Sequence, residues 1–153
     1  MPGKGLVSTA TIRVHQFAVK YLVDANVLSE PTKPEPNSAV VQWLIDHESK
    51  LAVSSIVLGE LEYGILILPA GRRRRRLESW FAAGTEMLRV LDFDRGAAAE
   101  WSRMLARLKR NGRAMPVKDS LIAATALANG LTMVTRNSVD FKNAGVDVLD
   151  PFA

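Results

Sequence analysis

The chain contains no cysteine, which excludes disulfides, thiol nucleophiles and cysteine-rich zinc sites. Histidine is nearly as scarce. His15 and His47 are the only two, and they stand too far apart to give the spacing of a metal-ligand pair. Each reads as a surface or core residue. Long hydrophobic runs are missing as well: the stretch Ile65 to Leu68 falls far short of the roughly 20 apolar residues that a spanning helix needs. Near the N-terminus, Leu6-Val7-Ser8-Thr9-Ala10-Thr11-Ile12 is interrupted by hydroxyl residues and then by Arg13, too soon for a secretory signal. Together these absences lead us to expect a soluble cytoplasmic protein with no membrane role.

What is present fits one ordinary domain. The 153 residues are 48% hydrophobic, enough for a single core, and we expect an N-terminal tail over 1–18 followed by a domain over 19–153. Lys and Arg total 20 against 16 Asp and Glu, a formal charge of +4. A basic balance suits a polyanionic partner, since cations that neutralise phosphates release counterions. It equally suits a basic, solubilising surface.

The elements alternate. Val19 to Val23, ending abruptly at Asp24, reads as a buried strand. Pro31, Pro34 and Pro36 form a loop that a helix cannot cross. Asn37 or Ser38 can cap a helix carrying Val40, Val41, Trp43, Leu44 and Ile45. Leu51-Ala52-Val53 is a second short strand, after which Ser54 or Ser55 caps an apolar helix reaching about Leu68. Pro69-Ala70-Gly71 breaks the chain before a helix that opens with Arg72 to Arg76 and carries Leu77, Trp80, Phe81 and Met87. Leu88 to Phe93 is a third strand, and Arg95 to Lys109 a helix closed by Asn111-Gly112. Pro116 opens another helix, ended by Asn129-Gly130. Leu131 to Thr135 is a fourth strand and Val146 to Leu149 a fifth. This alternation predicts an α/β fold with a mainly parallel central sheet of four to five strands flanked by helices.

Three acids stand out. Ligands of open α/β sheets bind beyond the carboxyl ends of the strands, where Asp24 falls, although an Asp at this place also serves as a cap or turn residue. Glu60 lies mid-helix with Ile56 and Val57 one turn before it and Tyr63 and Gly64 one turn after. A carboxylate on so apolar a face is costly unless paired, and a cation offsets that cost; a surface edge, with Glu62 as the solvated acid, is the equal alternative. Asp119 sits in the first turn of the helix opened by Pro116, where the helix dipole alone is sufficient reason for an acid. Brought to one rim, the three repel one another unless a cation sits among them. With oxygen donors and no soft ligands, Mg²⁺ or Mn²⁺ is the cation expected, and phosphodiester hydrolysis the chemistry.

The motifs carry a resemblance. Tyr21-Leu22-Val23-Asp24-Ala25-Asn26-Val27-Leu28-Ser29-Glu30 resembles the opening of a PIN domain, and Ser54 through Gly64 its second motif. Asp119-Ser120-Leu121-Ile122-Ala123-Ala124-Thr125-Ala126 resembles the third; Gly130 through Asn137, then Asp140-Phe141, the fourth; Asp150-Pro151-Phe152 the ending. The match runs from about residue 20 to 152, in order. It is most similar to the VapC toxins of bacterial toxin–antitoxin pairs. The resemblance implies a Mg²⁺- or Mn²⁺-dependent endoribonuclease that cleaves structured RNA, often transfer RNA, and inhibits translation. It implies a cognate VapB-type antitoxin that blocks the site, a homodimer within a larger toxin–antitoxin complex, and promoter DNA bound only through the antitoxin.

By motif position the resemblance makes Asp24, Glu60 and Asp119 the metal-binding and catalytic residues. The fourth acidic position is divided. Many PIN domains place an aspartate where this chain has Asn137, and Asp140 follows three residues later. Asn137 either binds through a water or orients substrate; Asp140 either completes the metal shell or supports the loop. Thr135 is read as hydrogen-bonding a metal ligand or as a plain strand-end threonine, and Asn26 as orienting Asp24 or capping the next helix. Lys109, Arg110, Arg113 and Arg136 are candidate RNA contacts. The arginine run 72–76 must partly face solvent, because five consecutive residues circle a helix; RNA, Glu78, antitoxin and water all remain open as its partners. Trp43, Trp80 and Trp101 are expected in the core. The segment before Lys20 is longer than the family's usual lead-in, a cloning remnant or an early start codon. A haloacid dehalogenase-type phosphatase fits poorly, since Asn26 cannot serve as its general acid. A receiver domain lacks its paired acids. A catalytically silent PIN domain that only binds RNA or antitoxin is the remaining alternative.

Overall fold

Three short segments rich in Val, Leu and Met are buried nearly throughout and form the centre of a sheet: β1 (Tyr21–Val23), β2 (Leu51–Ser54) and β4 (Thr132–Val134). In the computed structural model, which describes residues 18–153, two edge strands complete it, β3 (Arg89–Leu91) and β5 (Val148–Leu149). The expected tail over 1–18 and His15 lie, Ala18 apart, outside the described residues. All pairings are parallel and the strand order is β3-β2-β1-β4-β5. Strands buried on both faces read as continuous apolar runs, as parallel sheets require. The edge strand β3 is more exposed, and the sheet strands are shorter at their ends than the apolar runs that contain them.

Helices join the strands: α1 (Ala25–Leu28), α2 (Ser38–Asp46), α3 (Ser55–Leu66), α4 (Arg72–Met87), α5 (Arg95–Arg110), α6 (Val117–Ala128) and α7 (Ser138–Asn143). The caps lie close to where the residues placed them. Asn37 Oδ1 accepts from the Ala39 and Val40 N–H groups, and Ser54 Oγ accepts from that of Ile56. Asn111 and Asn129 close α5 and α6, and Gly112 and Gly130 after them adopt φ of 66° and 64°. That left-handed conformation suits glycine.

Four short elements went unforeseen: α1, α7 and the 3₁₀ turns Glu30–Thr32 and Glu48–Lys50. Pro31 does not prevent the first of these turns, because a proline near the start of a helix forfeits no internal hydrogen bond. The tryptophans divide. Trp43 stacks on His47 at 4.3 Å, and the His47 ring bonds the Trp43 carbonyl at the end of α2. Trp101 donates to Ser120 Oγ at 2.9 Å and ties α5 to α6, the most extensively packed pair of helices. Trp80 is instead half-buried beside Pro31, Lys33 and Arg76 in an open groove.

Candidate active site

The chain runs outward from β1 to β2 and β3, then returns to lay β4 and β5 on the other side of β1. The carboxyl ends of β1 and β4 therefore border the point where the order reverses, the place where open α/β sheets bind ligands. Asp24 follows β1 and Thr135 follows β4. The strands hold them in register, Val23 beside Val134, and the Asp24 N–H donates to the Val134 carbonyl at 2.9 Å.

Asp24 is only 6% exposed. One carboxylate oxygen, Oδ1, accepts from the Ala25 N–H at 2.8 Å, and the other, Oδ2, from Thr135 Oγ1 at 2.7 Å. Thr135 is wholly buried, and its hydroxyl accepts in turn from the Asn137 N–H at 3.0 Å. Burial pushes the Asp24 carboxyl above its ordinary value of 3.8. The two hydrogen bonds oppose that shift, and the negative charge of Glu60 adds to it.

Asp119 projects from the first turn of α6 and is partly buried. Its pKa is raised too, by burial first and then by the charge of Asp24, with smaller contributions from Glu60 and Asp140 and an opposing one from Lys118. Four acids from four separate elements thus share one field. Asn137 Nδ2 donates to Asp140 Oδ2 at 3.1 Å and more loosely to Asp119 Oδ2 at 3.4 Å, linking α6 to α7.

Glu60 differs from expectation in two respects. It is not unpaired, since its Oε2 meets Lys118 Nζ at 2.5 Å, while its Oε1 is buried with no hydrogen-bond partner. Nor is its helix face wholly apolar and enclosed: Tyr63, one turn on, is 66% exposed. Lys118 escaped the sequence reading, although a basic residue in the first turn of a helix opposes the dipole, and that was the available signal. The buried carboxylate of Glu30, 3% exposed and paired with Lys33 at 3.0 Å, escaped it too.

Asn26 takes neither of the roles considered for it. Asp24 itself occupies the capping place of α1, and Thr135 orients Asp24. Asn26 Oδ1 instead accepts from the Arg136 N–H at 3.2 Å, fastening α1 to the loop after β4. The Arg136 guanidinium lies 4.5 Å from the centre of the Phe152 ring, a cation–π contact. Lys109 and Arg110 are exposed in the last turn of α5, where cations favour the dipole, and Arg113 is exposed in the turn leading to α6. In the run 72–76, Arg74 pairs with Glu78 at 2.6 Å and the other four are exposed.

The donor set suits a hard divalent cation. It is all oxygen, neighbouring acids add to the raised pKa of Asp24 and Asp119, and a buried carboxylate oxygen of Glu60 lacks a partner. Among the described residues, no three acidic or histidine side chains stand close enough to chelate an ion as placed. Like charges at this spacing repel until a counter-charge draws them in.

A parallel sheet flanked by helices, with acids beside its switch point, places the chain among the open α/β folds. The chain belongs to the PIN domain family, whose model matches residues 21–146. It is similar to a VapC ribonuclease, Y4jK, of Sinorhizobium fredii, 37% identical over 137 residues that cover 86% of this chain and 96% of that one. Among solved structures it resembles FitAcB from Neisseria gonorrhoeae, with a TM-score of 0.82 and 33% identity over 86% of this chain and 98% of that one. It also resembles DNA-bound VapBC from Salmonella typhimurium, with a TM-score of 0.76 and 28% identity over 87% and 98% of the two chains.

Proposed function

We propose that this protein is an endoribonuclease toxin of a toxin–antitoxin pair, hydrolysing phosphodiester bonds in RNA and so inhibiting translation, and held in check by a VapB-type antitoxin. What supports the chemistry is that Asp24, Glu60 and Asp140, each from a different element, lie near enough to Asp119 for their charges to act on it, beside the sheet's switch point. Kinship with a VapC ribonuclease and with VapBC and FitAB assemblies supports the biological role.

In this reading Asp24, Glu60 and Asp119 hold a divalent cation, Mg²⁺ or Mn²⁺, with Asp140 or Asn137 at its margin. When bound, the cation supplies Lewis acidity at the phosphodiester and charge stabilisation for the departing oxygen. The chain's own residues do the rest. Thr135 and the Ala25 N–H hold both oxygens of Asp24, leaving little freedom for its carboxylate to turn. Asn137 keeps Asp119 and Asp140 in one arrangement. Lys109, Arg110, Arg113 and Arg136 are the cations offered to the RNA backbone, transfer RNA being the substrate class we favour.

Exposed apolar side chains, among them Tyr63, Leu66, Ile67 and Met87, support protein partners, an antitoxin and a second copy of the chain. Promoter DNA is reached through the antitoxin. Among the described residues no helix is long and apolar enough to cross a membrane, which accords with the cytoplasmic role we assign.

The test is RNA cleavage by the purified toxin with Mn²⁺ or Mg²⁺, set against D24N. We expect a fall of at least about a hundredfold, the scale on which removing one charge-stabilising group acts. Equal activity in the two proteins would refute the assignment and leave a catalytically silent binding module.

A further inference from the structure

We propose that Lys118 is the resident counter-charge of this site: its ammonium holds Glu60 in place and gives that carboxylate up when a divalent cation takes it. The inference rests on the metal-binding reading above and concerns a residue that carries no role in it.

Three observations lead there. Lys118 Nζ and Glu60 Oε2 stand 2.5 Å apart, so the ammonium and a cation bound by Glu60 compete for one oxygen. The second oxygen of Glu60 is buried and partnerless, so Lys118 satisfies the carboxylate only in part, as a weaker occupant would. Lys118 also stands at the second position of α6, against the dipole. A lysine is tolerated there because carboxylates offset that cost: it lies near enough to Asp24 and Asp119 for their charges to act on it.

The side chain is free to leave. It is 53% exposed, and four rotatable carbons let an ammonium withdraw into water without disturbing the backbone. A buried lysine would have no such exit. A bystander ion pair on the surface would make the same contact, and the two cases differ in what they do to cation affinity.

The experiment measures Mn²⁺ binding to the purified full-length toxin by calorimetry, and thermal melting in EDTA and in saturating Mn²⁺, for wild type, K118M, K118R and K20M. Lys20 is exposed just before β1, at the strand end opposite the acids, so K20M controls for the general loss of one positive charge. We expect K118M to bind Mn²⁺ about fivefold more tightly, the size of a half-solvated ion pair no longer to be broken. K118R should stay within about twofold of wild type, and K20M should match it. In EDTA, K118M should melt about 2 °C below wild type, and the gap should close in Mn²⁺. A purely structural lysine would lower both melts and leave the affinity unchanged. Unchanged or weaker Mn²⁺ binding by K118M overturns the inference while leaving the metal site standing. Failure of the wild type itself to bind Mn²⁺ overturns both.

Discussion

The two halves of the acid cluster are held by different means. On the β1–β4 side, Asp24 is buried and fastened by a backbone N–H and by the hydroxyl of Thr135, itself fully enclosed. On the α3–α6 side, Glu60 is held by one flexible lysine, with one oxygen unsatisfied and the pair open to solvent. The first half is set by the register of neighbouring strands and cannot shift without disturbing the sheet. The second is set by charge and can rearrange. A site built this way has a fixed post on the sheet and an adjustable arm on the helices.

The largest effect that would break this comparison is the loss of the fixed post. D24N should abolish cleavage, whereas E60Q, which keeps the helix arm's shape but removes its charge, should equally weaken cation binding. If D24N cleaved RNA as wild type does while E60Q did not, the post would not be where the chemistry happens.

Next comes Thr135→Val, nearly isosteric and without the hydroxyl. It strips one oxygen of a buried carboxylate of its donor. We expect activity to fall roughly 10- to 100-fold, as for groups that orient metal ligands, and stability by roughly 1–3 kcal/mol. Both are measured readily, by single-turnover cleavage and denaturant unfolding. A T135V protein with wild-type activity would mean that the sheet alone orients Asp24.

A smaller and sign-specific effect concerns pH. Asp24 and Asp119 both have folded pKa values raised above 3.8, so in the carboxylate range the folded state binds more protons than the unfolded one. Their contribution to stability is therefore fullest below 3.8 and declines as pH rises through the raised values. In EDTA, wild type should lose stability relative to D24N over that window, and saturating Mn²⁺ should remove the difference. A wild-type deficit that grew toward low pH would contradict the burial and charge repulsion that raise these values.

The smallest effect is expected from Asn137→Ala, whose exposed amide makes one ordinary and one long hydrogen bond to Asp140 and Asp119. Cleavage should drop about threefold, the worth of one solvated hydrogen bond. A loss as large as that of D24N would make Asn137 a member of the fixed post.

Much of this was legible beforehand. Apolar runs ending at Asp24 and Thr135, caps at Asn37 and Ser54, and Asn-Gly stops after α5 and α6 are local signals, and local chemistry is what periodicity and capping record. The acids Asp24, Glu60 and Asp119 stood in recognisable motifs. What stayed hidden was which side chains meet. Asn26 was read for a cap or an orienting bond, and it does neither, because its partner is the backbone of Arg136. Trp80 looked like core and faces a groove.

The alternation of strands and helices, the parallel sheet and the identity of the acids could all be read along the chain, since each follows from neighbours a few residues away. That β4 lies beside β1, that a hydroxyl 111 residues from Asp24 fastens it, and that Lys118 answers Glu60 across two helices came to light in the folded molecule alone. Such pairs are chosen by burial and charge once distant segments pack, and nothing in the spacing along the chain encodes the distance that will separate them in space.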